Sequence, residues 1–232
     1  MKLSKSTVDI IKNFSTINQG MLFKPGKQLK TVSPQKNILA VANIEDSIDG
    51  EFAIYDLNQF LAVVSLTDEN SFDIEGNDLK ITKSVDISDK DKADISVVFR
   101  SASKNMIVAP PEKDIQFPEP EIHLTMTSKI IDMMYNYASV LGSPNVGFES
   151  DGANVYLSGF DSTGSKSHMS KIRFADGNGD TFNLCFKVES LRLFPGDYDL
   201  HISSQGVSHW KNKNVDIEYW ITVEKGSTYQ KG

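Results

Sequence analysis

Between residues 105 and 124 the sequence reads NMIVAPPEKDIQFPEPEIHL, and four of the chain's eight prolines fall inside it, at positions 110, 111, 118 and 120. Proline fixes φ and has no N–H to offer, so such a stretch is stiff and extended and cannot carry a helix or sheet through it. The 232 residues are therefore expected to form a first domain over 1–108, a linker over 109–121 and a second domain over 122–232. Each piece is of ordinary domain size.

The two pieces repeat one pattern. The first opens with LSKSTVDIIKNFSTI, where a helix at about 100° per residue gathers Ile10, Ile11, Phe14 and Ile17 on one side. Lys5, Lys12 and Thr16 fall opposite, with Asp9 between them. Strand candidates KNILAVANI and GEFAIY follow, then a short helix DLNQFLAVVSL at 56–66, then SFDI, DLKITKSV and DISVVFR. The second piece opens with TSKIIDMMYNYASVLG, where Ile130, Ile131, Met134, Tyr137, Ala138 and Leu141 share a helical face. VGFES, NVYLSGF and SHMSKIRFA read as strands, TFNLCFKVESLRLFPGDYDLHISS as strand, short helix, turn and strand, and VDIEYWITVEK as a closing strand. AIYDLNQFLAVVSL and CFKVESLRLF each run a strand straight into a short apolar helix. The expected architecture is α+β, with two similar domains that each set two helices against antiparallel sheets.

Charge narrows the function. The net charge of -7 argues against a surface that attracts nucleic acid everywhere. It is unevenly spread, though. Residues 1–36 carry seven lysines against Asp9 alone, a balance of +6, whereas residues 37–94 carry fourteen acids against four lysines, a balance of -10. One basic surface on an acidic body is one reading, and drift in surface composition is the other. No apolar run approaches the roughly 18 residues that span a bilayer, and residues 1–20 hold no signal core. The single Cys185 excludes an internal disulfide framework and fits a reducing cytoplasm.

Catalytic and metal-binding patterns are missing. His123, His168, His201 and His209 are scattered without ligand spacing and read as surface or packing residues. Cys185, in FNLCFKV, reads as a small buried hydrophobe rather than a nucleophile. TGSKS at 163–167 lacks the preceding glycine of a phosphate-binding loop and reads as a hairpin loop. DGNGD at 176–180 alternates Asp176, Asn178 and Asp180, but Thr181 and Lys187 stand where a calcium loop needs glycine and glutamate. A turn between strands explains it better. No metal site, cofactor or active site is expected.

MKLSKSTVDIIKNFSTINQG, NIEDSIDGEFAIYDLNQFL, IVAPPEKDIQFP and FNLCFKVESLRLFPGDYDL, in that order, resemble the DNA polymerase sliding clamp of large tailed bacteriophages. The resemblance runs to the closing VEKGSTYQKG and is weakest at SDKDKAD and SSQGVSHWKNKN. It implies a non-enzymatic ring, a homotrimer of two-domain subunits with helices around a central hole and sheets outside. Such a ring encircles duplex DNA without reading its sequence and tethers the DNA polymerase. The implied partners are a clamp loader and, at lower weight, late-transcription factors, and the implied place is the cytoplasm of the infected bacterial host. No membrane partner is implied. A non-catalytic phage structural or assembly protein on a duplicated α+β scaffold is the competing reading.

Within the clamp reading, Lys5 and Lys12 are expected to face the hole together with Lys129, Lys187 and Arg192 from the second domain's helices, while Lys24, Lys27 and Lys30 extend the basic surface. The basic residues are 21 lysines and three arginines. Lysine, a hydrated point charge on a flexible stem, suits passing phosphates better than a bidentate grip on base edges. Ring closure needs a head-to-tail contact between edge strands. The candidate edges are DISVVFR, with Val97, Val98 and Arg100, and SHMSKIRFA, with Met169, Ile172 and Arg173, the two arginines meeting acids across the contact. A docking groove for partner peptides is expected from Ile107, Val108, Phe117 and Pro118 with Tyr219 and Trp220. The alternative is that the same side chains pin the linker to its own domains.

Overall fold

The first helix starts where Ser4 turns its hydroxyl back to accept from the Thr7 amide, satisfying an N–H that the first turn leaves free. The computed structural model describes every residue except 68–70, 77, 89–90, 114 and 163–167, so the TGSKS loop lies outside the described residues. The chain divides into two units, Met1–Lys113 and Asp114–Gly232.

In chain order the first unit contains α1 (Lys5–Ser15), β1 (Met21–Phe23), β2 (Gly26–Val32), β3 (Ile38–Ile48), β4 (Phe52–Ile54), α2 (Leu57–Val64), β5 (Asp73–Glu75), β6 (Asp78–Asp86) and β7 (Lys92–Arg100). β1 pairs antiparallel with β4, β2 with β3, and β5, β6 and β7 form a three-stranded antiparallel sheet with β7 at its edge. Helix α1 buries Thr7, Val8, Ile10, Ile11 and Phe14. Ile17, expected on that face, is buried just past the last turn. The helix packs on β3 and α2, and β3 carries Ala40 and Ala42, both fully enclosed. Such short side chains leave room for the backbones to approach at close-packed density.

Helix α2 is capped by Asp56, whose carboxylate accepts from the amides of Asn58 and Gln59. It buries Leu57, Phe60, Leu61 and Val64. Phe60 meets Phe72 at 5.5 Å and Phe99 at 5.8 Å, both edge to face, and Phe23 stacks on Phe52 at 4.6 Å. Each buried phenylalanine contributes about 1.5–3 kcal/mol of apolar burial, so this cluster ties α2 to β1, β4 and β7.

The second unit runs β8 (Ile122–Met126), α3 (Ser128–Leu141), β9 (Asn145–Asp151), β10 (Asn154–Phe160), β11 (Ser170–Asp176), β12 (Thr181–Lys187), β13 (Tyr198–Ser203), β14 (Val207–Asn212), β15 (Ile217–Thr222) and β16 (Thr228–Gln230). β8, β13, β14 and β15 pair antiparallel in the order 8-13-14-15. The other sheet has the order β11-β10-β9-β12-β16. Trp210, Tyr198, Tyr219, Phe148 and Phe186 are fully buried, and Trp210 lies 6.0 Å from Phe148 and 6.2 Å from Tyr198. The Trp210 indole N–H donates to Ser208 Oγ at 2.9 Å, and Ser208 in turn donates to the Ile221 carbonyl. The polar edge of the core is thus paired, as burial requires.

Helix α3 is capped by Thr127 and ends on Gly142, whose φ of 61° is the left-handed region that glycine enters without a Cβ penalty. It packs against β9, β10 and β11. Its buried face is narrower than the sequence suggests. Ile131, Met134 and Ala138 are buried, but Ile130 and Leu141 are only half-buried and Tyr137 is exposed. A helix lying on a flat sheet is covered along one line of contact, and residues at the sides of that line stay wet.

One further expectation is corrected. Among the described residues the second half has no counterpart of α2. Val188–Ser190 makes a single 3-10 turn, so the fold has three α-helices among the described residues instead of two per domain. The reason is local. Where α2 has Asp56 as its cap, this turn has Lys187, whose side chain caps nothing, and Leu191 already leaves helical geometry at φ -89°, ψ 73°. DGNGD connects β11 to β12 as the sequence suggests, and β10 and β9 lie between these strands in the sheet. The loop crosses the β9–β10 turn, with Gly177 N–H donating to Ala153 O at 2.8 Å and Gly179 N–H to Gly152 O at 2.9 Å. A Cβ on Gly177 would collide with the Gly152 carbonyl.

Candidate functional site

The lysine side of α1 is open to solvent. Lys5 is 90% and Lys12 61% exposed at their side chains, and both line a shallow groove between α1 and α2 with Val8, Asp9, Asn58 and Ser65. The sequence placed Asp9 between the two lysines, and the structure makes it their shared partner. Lys5 Nζ donates to Asp9 Oδ2 at 2.7 Å, and Lys12 Nζ lies 3.5 Å from Asp9 Oδ1. The hydrogen bond from Lys5 holds the Asp9 carboxyl below the usual carboxylate range, against the opposing effect of burial. Helix α2 contributes no base to this groove.

Lys24 and Lys30 belong to a different surface. They line a cleft with Leu22, Gln28 and the linker residues Ala109–Glu112, and Lys24 Nζ donates to Glu112 Oε1 at 2.8 Å. Lys27 is exposed on β2. In the second unit Lys187 and Arg192 come together in one cleft with Tyr135, Asn145 and the acids Asp161 and Glu189. Neither stands on an α-helix as expected. Lys187 ends β12, and Arg192 follows the 3-10 turn, its Nε donating to Glu189 O at 2.9 Å. Lys129 sits at the opposite end of α3, about 20 Å along a helix of this length, so the structure does not gather it with them.

The expected groove residues separate. Tyr219 is fully enclosed, and its hydroxyl accepts from the Phe194 amide at 3.0 Å; it is a core residue and offers no surface to a partner. Ile107 is likewise buried, packed so close to Gly20 that a Cβ there would meet its Cδ1 at 2.9 Å. Strand alternation buries Tyr219 and leaves its neighbour Trp220 half-exposed. Val108 is exposed, with its carbonyl held by Asn18 Nδ2 at 3.1 Å. Phe117 and Pro118 are half-buried.

Cross-strand register produces a feature that sequence spacing hides. His201 lies opposite His123 on one side and His209 on the other, and His209 lies opposite Trp220. His123 and His201 are 4.8 Å apart, and His209 stacks on Trp220 at 4.7 Å while Phe117 packs on it at 5.4 Å. His209 Nε2 is 2.9 Å from Glu218 Oε2. Burial, then the neighbouring His123 and His209, push the His201 pKa down. Among the described residues no group of three or more His, Cys, Asp or Glu is placed to hold a metal ion. Cys185 is half-buried, and burial with the nearby Glu224 raises its thiol pKa, the reverse of an activated nucleophile.

Val97, Val98 and Arg100 lie on β7, the edge of its sheet, with Val98 exposed. Met169 immediately precedes β11, an edge of the second unit's sheet, which carries Ile172 and Arg173, and Met169 is exposed. The two arginines already meet acids of their own unit. Arg100 lies 4.0 Å from Asp78, and Arg173 pairs with Asp176 and donates to Asn154 Oδ1.

The fold is similar to that of PCNA. PCNA from Thermococcus kodakaraensis superposes with a TM-score of 0.66, covering 95% of this chain and 96% of the other at 13% identity. A PCNA2–PCNA3 complex from Sulfolobus tokodaii gives 0.63 over 94% and 95%. Residues 2–109 match the family model of the DNA polymerase processivity factor. The sliding clamp of Vibrio phage KVP40 is 28% identical over 230 residues, 97% of this chain and 99% of that protein. That of Enterobacteria phage T4 is 28% identical over 237 residues, 99% of each. Over nearly its whole length the chain is thus similar to the sliding clamps of large phages, and its first half to the DNA polymerase processivity factor.

Proposed function

We propose that three copies of the chain close head to tail into a ring around duplex DNA, with the lysine side of α1 toward the phosphates. That exposed lysine side, in a protein whose net charge is -7, is the observation that carries the reading. An enclosed duplex does not need tight binding. Each lysine contributes modest counterion release, and phosphate contacts fix no register along the sequence. Lys187 and Arg192 are further cations of the second unit, in a cleft that also holds Asp161 and Glu189, and Lys24 and Lys30, with Lys27 on β2, are further cations of the first unit on a surface other than that of the α1 lysines. Lys129 adds one more cation at the start of α3. The acidic remainder of the chain disfavours DNA wrapped on other surfaces.

Edges β7 and β11 close the ring. Both are unpaired on one side and present exposed apolar side chains, the situation in which a strand recruits another chain. Partner peptides of the DNA polymerase dock on Phe117 and Pro118 with Trp220 of the second unit, a clamp loader opens the ring, and late-transcription factors are further partners. The site of action is the cytoplasm of the infected bacterium; among the described residues no helix is long and apolar enough to cross a membrane.

The test is topological. Loaded on nicked circular DNA, the protein stays bound through gel filtration and leaves when the circle is cut once. Retention that ignores linearisation would point to the competing phage structural protein.

A further inference from the structure

We infer that Asp9 is a positioning residue that keeps the contact of Lys5 and Lys12 with DNA loose, so that the ring slides instead of parking on a phosphate. This rests on the reading that the α1 lysines face the duplex. The groove between α1 and α2 has two cations, Lys5 and Lys12, and polar walls in Asn58 and Ser65 that would suit a phosphate. The same groove is lined by a carboxylate, Asp9, hydrogen-bonded to Lys5 and ion-paired with Lys12 at 3.5 Å. A phosphate entering between the lysines therefore meets a fixed negative charge, and each lysine must leave Asp9 before it can grip.

The ties are weak enough to exchange. Both lysine side chains are largely exposed, and exposed pairs are held only marginally against water and salt. Lys5 precedes Asp9 by four residues, the less favourable order for such a pair on a helix. Asp9 thus acts as an internal competitor. It shares the lysines with each passing phosphate and lowers the difference in free energy between successive positions of the ring. Nothing in the packing of the first unit calls for a charge there, since α1 is capped by Ser4 and its buried face is apolar apart from Thr7.

The experiment follows the labelled full-length protein, threaded on linear duplex with both ends blocked, by single-particle tracking over a range of salt. Asp9→Asn is expected to slow lateral diffusion about two- to fivefold, the size of an exposed charge pair, and to steepen its salt dependence. Asp9→Glu should restore wild-type mobility, and circular dichroism should show the same helix content in all variants. The Lys5→Gln/Lys12→Gln protein should diffuse faster than wild type, and adding Asp9→Asn to it should change nothing. If the double lysine variant is faster but Asp9→Asn equals wild type, the role of Asp9 is overturned and the DNA-facing lysines stand. If the double lysine variant also equals wild type, both readings fall.

Discussion

Asp46 Oδ2 accepts two hydrogen bonds from Ser4, one from its backbone N–H and one from its Oγ, each at 2.7 Å. One carboxylate on β3 thereby fixes the residue that caps α1, and so sets the angle at which the lysine side leaves the sheet.

Replacing Asp46 with alanine should cost about 1–2 kcal/mol, the usual range for a lost cap and its hydrogen bonds, read as a lower urea midpoint with unchanged slope. Burial raises the Asp46 pKa, but hydrogen bonds from Thr7 and Ser4 outweigh it and leave the pKa below the ordinary 3.8. A depressed carboxylate stabilises the fold above its unfolded value and loses that contribution as pH falls through the folded one. Wild type should therefore lose this increment in acid below about pH 4, and Asp46→Ala should not.

Exchanging Lys5 or Lys12 for glutamine should lower the slope of log affinity for duplex DNA against log salt by about one per lysine. Lys36, the one non-glycine residue with positive φ among the described residues, at 59°, lies in the turn between β2 and β3 and not on α1. Lys36→Gln should leave the slope unchanged. Equal slopes for all three proteins in a titration by fluorescence anisotropy would count against a DNA-facing α1.

Aspartate at Val98 or at Met169 should break ring closure without unfolding either unit, because both side chains are already exposed. Light scattering is expected to give about 77 kDa for wild type, three times 25.8 kDa, and to fall toward 25.8 kDa for either variant. A mass that stays near 77 kDa in both would move the interface elsewhere.

Phe117→Ala should weaken capture of the polymerase several-fold while retention on circular DNA persists, since the side chain rests on His209 at the surface of the second unit and not in its core. Trp210→Ala should instead cost about 3–5 kcal/mol as a large buried side chain is lost. Thermal unfolding separates the two, with Trp210→Ala melting far below wild type and Phe117→Ala close to it.

Much of the fold was legible because its signals are local. The spacing of Ile10, Ile11 and Phe14 defines α1, the Asp56 cap announces α2, and Ile131, Met134 and Ala138 mark the inner line of α3. The apolar run LRLF misled because it shares hydrophobicity with LAVV but lacks a capping side chain at Lys187. Tyr219 and Trp220 are adjacent and both aromatic, and only the position of β15 in its sheet decides which one faces the core. The row His123, His201 and His209 is spread over 87 positions of sequence and becomes a neighbourhood through strand register alone.

Composition and periodicity by themselves determined that this chain makes two α+β halves joined by a proline-rich stretch, with positive charge concentrated near its start. Those properties depend on each residue's own chemistry and its near neighbours. Tertiary structure alone decided that Asp9 sits within reach of both lysines, that β7 and β11 are sheet edges, and that Tyr219 is sealed inside. Each of these depends on distances between residues that backbone hydrogen bonding and side-chain packing bring together, which sequence separation does not encode.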